Sequence, residues 1–119
     1  MKKILVIDDD KEIADCITGI LGRDYEVSHA PNGLLGFEQS QKQHIDLILM
    51  DISMPFLSGY WYCRALKKKA STRNIPVIMV SGRGDEDSIK KAYSFGACAY
   101  LKKPFRAEEL KELVEKKIS

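Results

Sequence analysis

The stretch ILVIDDD at residues 4–10 is a run of four aliphatic residues that breaks abruptly into three carboxylates. Consecutive Ile, Leu and Val residues with no polar alternation suit a strand covered on both faces, as in a parallel sheet. Residues 27–30, 47–50 and 77–80 are runs of similar character. Between the runs the spacing becomes helical: Ile13, Ile17, Ile20 and Leu21 recur at i, i+4, i+7 and i+8, and Leu110, Leu113 and Val114 mark a last helix. A strand over 99–101 is expected mainly because the alternation needs one before that helix. Strand followed by helix, five times over, predicts an α/β fold with a doubly wound, five-stranded parallel sheet, whose ligands sit beyond the carboxyl ends of the strands.

With 119 residues, 45% of them hydrophobic, the chain has room for one domain with one core. No linker, repeat or low-complexity tract divides it, so residues 1–119 are expected to be a single module. Lys and Arg number 19 against 17 Asp and Glu, a formal charge of +2, which gives no reason to expect direct nucleic-acid binding. Lys67, Lys68 and Lys69 read as the solvated end of a helix. Cys16, Cys63 and Cys98 are widely spaced, odd in number and without a zinc-ligand pattern, so they are expected to be buried thiols. The start MKKILVIDDD has an apolar run too short for a signal peptide or a membrane span. A cytoplasmic location and no membrane partner are therefore expected.

In this topology several polar residues meet at one edge. Asp8, Asp9 and Asp10 follow the first strand, Asp51 ends the third, Ser81 ends the fourth and Lys103 follows the fifth. Aspartates crowded at neighbouring strand ends repel, which raises pKa values unless a cation fills the gap. Oxygen ligands without His or Cys suit a hard cation such as Mg²⁺, which keeps water and so leaves positions open for phosphate. Lys103 adds a fixed positive charge and Ser81 a hydroxyl, so groups that hold a phosphoryl anion converge around Asp51. Gly82 leaves room for close approach, and Pro104 is placed to fix Lys103 through a rigid or cis peptide bond.

The motifs ILVIDDD, DLILMDISMP with Gly59 following, VIMVSG and GACAYLKKPF stand in the order and spacing of the receiver domain of two-component response regulators. The chain resembles that family from Lys3 to about Ile118. The resemblance implies a chemotaxis-regulator-like fold with strand order 2-1-3-4-5, either free-standing or at the N-terminus of a longer regulator. It implies that Asp51 accepts a phosphoryl group from the phosphohistidine of a histidine kinase or histidine phosphotransfer protein. Asp9, Asp51 and the backbone carbonyl of Ser53 would then hold Mg²⁺ (or Mn²⁺), with Asp8 assisting, often through water. Lys103 would pair with the aspartate and its phosphate. Ser81 would move inward onto the phosphoryl oxygen, and Tyr100 would turn with it as the aromatic switch. The face of the fourth helix, fifth strand and fifth helix would carry the signal to an effector or output domain. Such a chain assists its own phosphorylation and dephosphorylation but is no enzyme toward an external substrate. Cys98 and Ala99 stand where regulators that dimerise through that face carry acidic residues, which disfavours that dimer.

Taken singly, these residues have plainer readings. Asp51 alone would be a strand-end aspartate capping a turn, and Tyr100 alone a half-buried strand aromatic. Asp10 reads as a helix-starting acid rather than a ligand. His29 and His44 lack ligand partners at short spacing, so surface or loop roles are expected. Leu34, Leu35, Trp61 and Phe95 occupy positions where the family carries polar or small residues, which marks them as candidates for an exposed partner patch. A phosphatase of the haloacid dehalogenase type also uses an aspartyl phosphate, but its general acid two residues after the nucleophile is replaced here by Ser53, and there is no cap insertion. A phosphate-independent, receiver-like interaction module would be expected to have lost some of Asp8, Asp9, Asp51, Ser81 and Lys103, all of which are present. The acidic loop after the first strand argues against flavin phosphate.

Overall fold

The computed structural model describes residues 1–118. Five strands alternate with five helices: β1 (Lys3–Ile7), α1 (Lys11–Leu21), β2 (Glu26–Ala30), α2 (Gly33–Lys42), β3 (Leu47–Asp51), α3 (Gly59–Lys68), β4 (Val77–Ser81), α4 (Glu86–Ser94), β5 (Ala99–Lys102) and α5 (Ala107–Lys117). The strands form one parallel sheet in the order β2-β1-β3-β4-β5. This is the expected doubly wound, flavodoxin-like arrangement, and the strand over 99–101 is present.

The aliphatic runs are explained by burial on both faces. Successive side chains of a strand point to opposite sides. Leu5, Ile7, Ile48, Met50, Val77 and Met79 therefore pack with Tyr60, Cys63 and Leu66 of α3 and Ala92 of α4. Their neighbours Ile4, Val6, Leu47, Leu49, Ile78 and Val80 pack with Ala14, Ile17 and Leu21 of α1 and Leu110 and Val114 of α5. Most of these side chains are fully enclosed, each contributing about 1.5–3 kcal/mol by leaving water. Truncating a central one such as Leu49 to Ala costs about 2–5 kcal/mol, because the closed layers on either side cannot collapse onto the void.

Three expectations need correction. β2 is an edge strand, and only Ala30 of it is fully buried; with a neighbour on one side alone it lacks the cover of β1, β3 and β4. Cys16 is exposed, because its position on α1 turns away from the buried stripe of Ala14, Ile17 and Leu21; Cys63 is buried and Cys98 half-buried. Lys67 also departs from the solvated run, donating from its ammonium to the carbonyls of Arg73 and Ile75 and so closing the loop before β4.

β1 lies between β2 and β3, so the chain leaves the sheet in opposite directions on either side of it. The crevice at this switch point opens beyond Ile7 and Asp51. Gly59 draws the crevice together: a Cβ there would lie 2.1 Å from the carbonyl oxygen of Asp51. Only a residue without a side chain lets α3 begin against the end of β3.

Candidate functional site

Each acidic residue is set by the backbone element that delivers it. Asp8 follows β1 directly; its N–H donates to the carbonyl of Ala30 at 3.1 Å, extending the β1–β2 pairing by one residue. Its own carbonyl accepts from His29 Nε2 at 2.7 Å, so that nitrogen carries the proton. Asp8 Oδ1 accepts the N–H of Asp10 at 2.9 Å. Asp10 in turn caps α1, its Oδ1 accepting from the N–H of Glu12 at 2.9 Å, which confirms it as a helix-starting acid. Asp51 is the last residue of β3, and its Oδ1 lies 3.4 Å from the N–H of Ser53.

These placements bring Asp8, Asp9 and Asp51 together, with one carboxylate oxygen from each lying within 4.8 Å of the others. Asp8 is 2% exposed and Asp51 5%, while Asp9 faces solvent. Lys103 reaches in from the segment after β5: its Nζ is 3.1 Å from Asp8 Oδ2 and 3.5 Å from Asp51 Oδ1. The peptide bond between Lys103 and Pro104 is cis, and the N–H of Lys103 donates to the carbonyl of Ser81 at 2.8 Å.

The electrostatics follow from burial and crowding. Asp51 has its pKa raised from 3.8 to about 6, chiefly because burial disfavours its charge and secondarily because Asp8 repels it; Lys103 works against both. Burial by itself would lower the Lys103 ammonium, but Asp51 and Asp8 outweigh it and hold its pKa above the ordinary value. Three carboxylates against one ammonium leave two negative charges when all are ionised. The donor set is all oxygen, partly open through Asp9 and short of two positive charges, so it fits a hard divalent cation such as Mg²⁺.

Beside the cluster, Ser81 is buried, and its Oγ accepts the N–H of Arg83 at 3.1 Å. The carbonyl of the same Arg83 accepts from the Tyr100 hydroxyl at 2.5 Å. Tyr100 is half-buried and packs against the core layer on the α3 and α4 side. Ser81 and Tyr100 thus meet on one residue of the β4–α4 loop. A Cβ built at Gly82 would meet no atom within 4 Å. The bonds of His29 to the Asp8 carbonyl and of Tyr100 to the Arg83 carbonyl run between side chain and backbone across the fold and leave no spacing signal; the Arg83 N–H to Ser81 bond is a local turn contact. His44 lies away from the cluster, paired with Asp46 at 2.7 Å.

Residues 4–115 match the family model described as the response regulator receiver domain. The chain belongs to that family. A DNA-binding dual master transcriptional regulator of Synechocystis sp. is 33% identical over 111 residues, covering 92% of this chain and 46% of the relative. The nisin biosynthesis regulatory protein of Lactococcus lactis subsp. lactis is 36% identical over 117 residues, covering 98% of this chain and 50% of the relative. The chain thus spans about half the length of these two regulators. Among solved structures, a chemotaxis protein of Vibrio cholerae superposes with a TM-score of 0.93 at 26% identity, with 99% of each chain covered. A receiver domain is a signalling switch and not an enzyme of the ordinary kind. No helix among the described residues is long and apolar enough to cross a membrane.

Proposed function

We propose that this receiver domain, read as one module over residues 1–119, is switched by phosphorylation of Asp51 from a phosphohistidine donor. The observation that carries the reading is a buried Asp51, crowded by Asp8 and Asp9 and faced by Lys103 at 3.5 Å. With a pKa of about 6, roughly nine-tenths of Asp51 is ionised at pH 7, the form needed in a nucleophile. Its carboxylate oxygen attacks phosphorus as the P–N bond to the donor imidazole breaks. The imidazole keeps the electron pair and takes up a proton, leaving an acyl phosphate on Asp51.

Asp9, Asp51 and the Ser53 carbonyl, with Asp8 in support, would hold Mg²⁺ or Mn²⁺, which when bound offsets charge on the phosphoryl oxygens. Lys103 supplies a second positive charge to the same oxygens. Because Ser81 Oγ accepts from Arg83, its own proton is free to donate toward a phosphoryl oxygen. A phosphoryl group adds about 1.5–2 negative charges. Drawing Ser81 inward disturbs the Arg83 peptide, and with it the contact to Tyr100. The change then reaches the face of α4, β5 and α5, where an effector or output domain reads it. In this reading the partners are a histidine kinase or phosphotransfer protein and a downstream effector in the cytoplasm. The receiver itself takes no nucleic acid, whatever the transcriptional roles in its relatives' names.

The test is titration with beryllofluoride and Mg²⁺, a phosphoryl mimic, followed by amide chemical shifts. The reading expects shifts at Ser81, Arg83, Tyr100 and along α4 and β5, absent in Asp51→Asn. Shifts confined to the immediate surroundings of Asp51, or unchanged in the variant, would overturn it.

A further inference from the structure

Trp61 and Phe95, marked in the sequence as out of place for the family, lie together between α3 and α4. Trp61 is 54% exposed and meets the half-buried Phe95 edge-on with ring centroids 5.8 Å apart. Tyr60 packs beneath, 5.6 Å from Phe95, and its hydroxyl donates to the carbonyl of Ser88, tying the start of α3 to α4. Two cations converge on this aromatic floor. The Arg64 guanidinium lies 5.5 Å from the centre of the Phe95 ring. The Lys91 ammonium lies 4.7 Å from that of Tyr60 and 5.8 Å from that of Phe95. Among the described residues neither cation forms an ion pair, whereas Lys90, next to Lys91 on α4, pairs with Glu86 at 3.0 Å.

We infer that this α3–α4 surface docks an acidic protein segment, one that sets a carboxylate between Arg64 and Lys91 and an apolar side chain against Trp61. Two like charges on one ring repel each other, and an anion relieves both. The rings hold the cations by cation–π attraction without neutralising them. Exposed Trp and Arg on a rigid base are the residues that carry most binding energy at interfaces. The Tyr60 to Ser88 bond fixes the two helices relative to each other, so little order must be gained on binding. A nucleic-acid strand fits less well, because Glu86 and Asp87 stand exposed in the first turn of α4 and would repel a continuous phosphate chain. The surface uses none of the acidic cluster, and the inference does not rest on phosphorylation of Asp51.

The experiment is selection of random twelve-residue peptides on the full chain, followed by titration of a synthetic peptide of the selected consensus. Trp61 is the sole tryptophan, so its fluorescence reports the site directly. Expected are peptides enriched in Asp or Glu beside an aromatic or aliphatic residue, with a saturable Trp61 signal. Binding of the peptide to R64E/K91E should be at least about tenfold weaker, with R64Q/K91Q as the milder pair should charge reversal disturb folding. Lack of acidic enrichment, equal binding to the charge variants at unchanged circular dichroism, or tighter binding of an oligo-dT strand than of the peptide would each overturn the inference.

Discussion

Replacing Asp51 by Asn should stabilise the metal-free protein at neutral pH, although it removes the residue on which function turns. The Asp51 carboxyl is raised from 3.8 to about 6 in the folded state by burial and by Asp8. It therefore binds its proton more tightly folded than unfolded. Below pH 3.8 both states are protonated and the advantage of the neutral folded form is fully present; as pH rises through 6 that advantage is lost. Above pH 7 the ionised carboxylate costs about 3 kcal/mol, from roughly two pKa units at 1.36 kcal/mol each. An Asn carries no such cost. Urea unfolding in EDTA should show Asp51→Asn more stable by about 3 kcal/mol at pH 7.5, falling to about 1 kcal/mol near pH 4.5. In a thermal melt the neutral-pH gain is on the order of 10 °C for a chain of this size. Saturating Mg²⁺ should narrow the gap by compensating the wild-type carboxylates. A variant less stable than wild type at pH 7.5, or a gain independent of pH, would refute the account of the site as charge held in excess by burial.

Lys103→Ala should destabilise the metal-free protein by about 1–3 kcal/mol, since Asp8 and Asp51 lose the one cation that pairs with them among the described residues; Mg²⁺ should restore part of this, and equal losses with and without the ion would contradict it. Gly59→Ala forces a Cβ to within 2.1 Å of the Asp51 carbonyl oxygen and should cost about 2–3 kcal/mol in urea unfolding, an unchanged midpoint being the contrary result. For the cysteines, Cys16 should react fast with a thiol reagent in the native protein, whereas Cys63, buried and with its pKa pushed up to about 11, should react only on unfolding. Two or more fast native thiols would contradict that burial pattern.

The parts of the fold readable in advance were those whose cause is local. β1, β3 and β4 announce themselves because two-sided burial leaves no polar residue among Ile4 to Ile7 or Leu47 to Met50. β2 carries Ser28 and His29 because it lies at the edge, and a run of mixed character does not say which side is uncovered. β5 has only four residues and was placed by the rhythm of the chain rather than by its own composition. In the site, strand-end aspartates are visible as abrupt changes of polarity, and the motifs around Ser81 and Lys103 supply the rest. The contact of Lys103 with Asp8 spans 95 positions, and only the parallel strand order brings the two together. The His29 bond to the Asp8 carbonyl and the Tyr100 bond to the Arg83 carbonyl depend on register and loop path, for which residue type gives no signal.

The most direct measurement is the intact mass of the protein after exposure to acetyl phosphate, with and without Mg²⁺, for wild type and Asp51→Asn. A single phosphoryl adduct that requires Mg²⁺, is released by hydroxylamine and is missing from Asp51→Asn is the result expected of an aspartyl phosphate at this site. An adduct that persists in Asp51→Asn, or no adduct from acetyl phosphate and from phosphohistidine donors alike, would contradict the assignment of Asp51 as the phosphoryl acceptor.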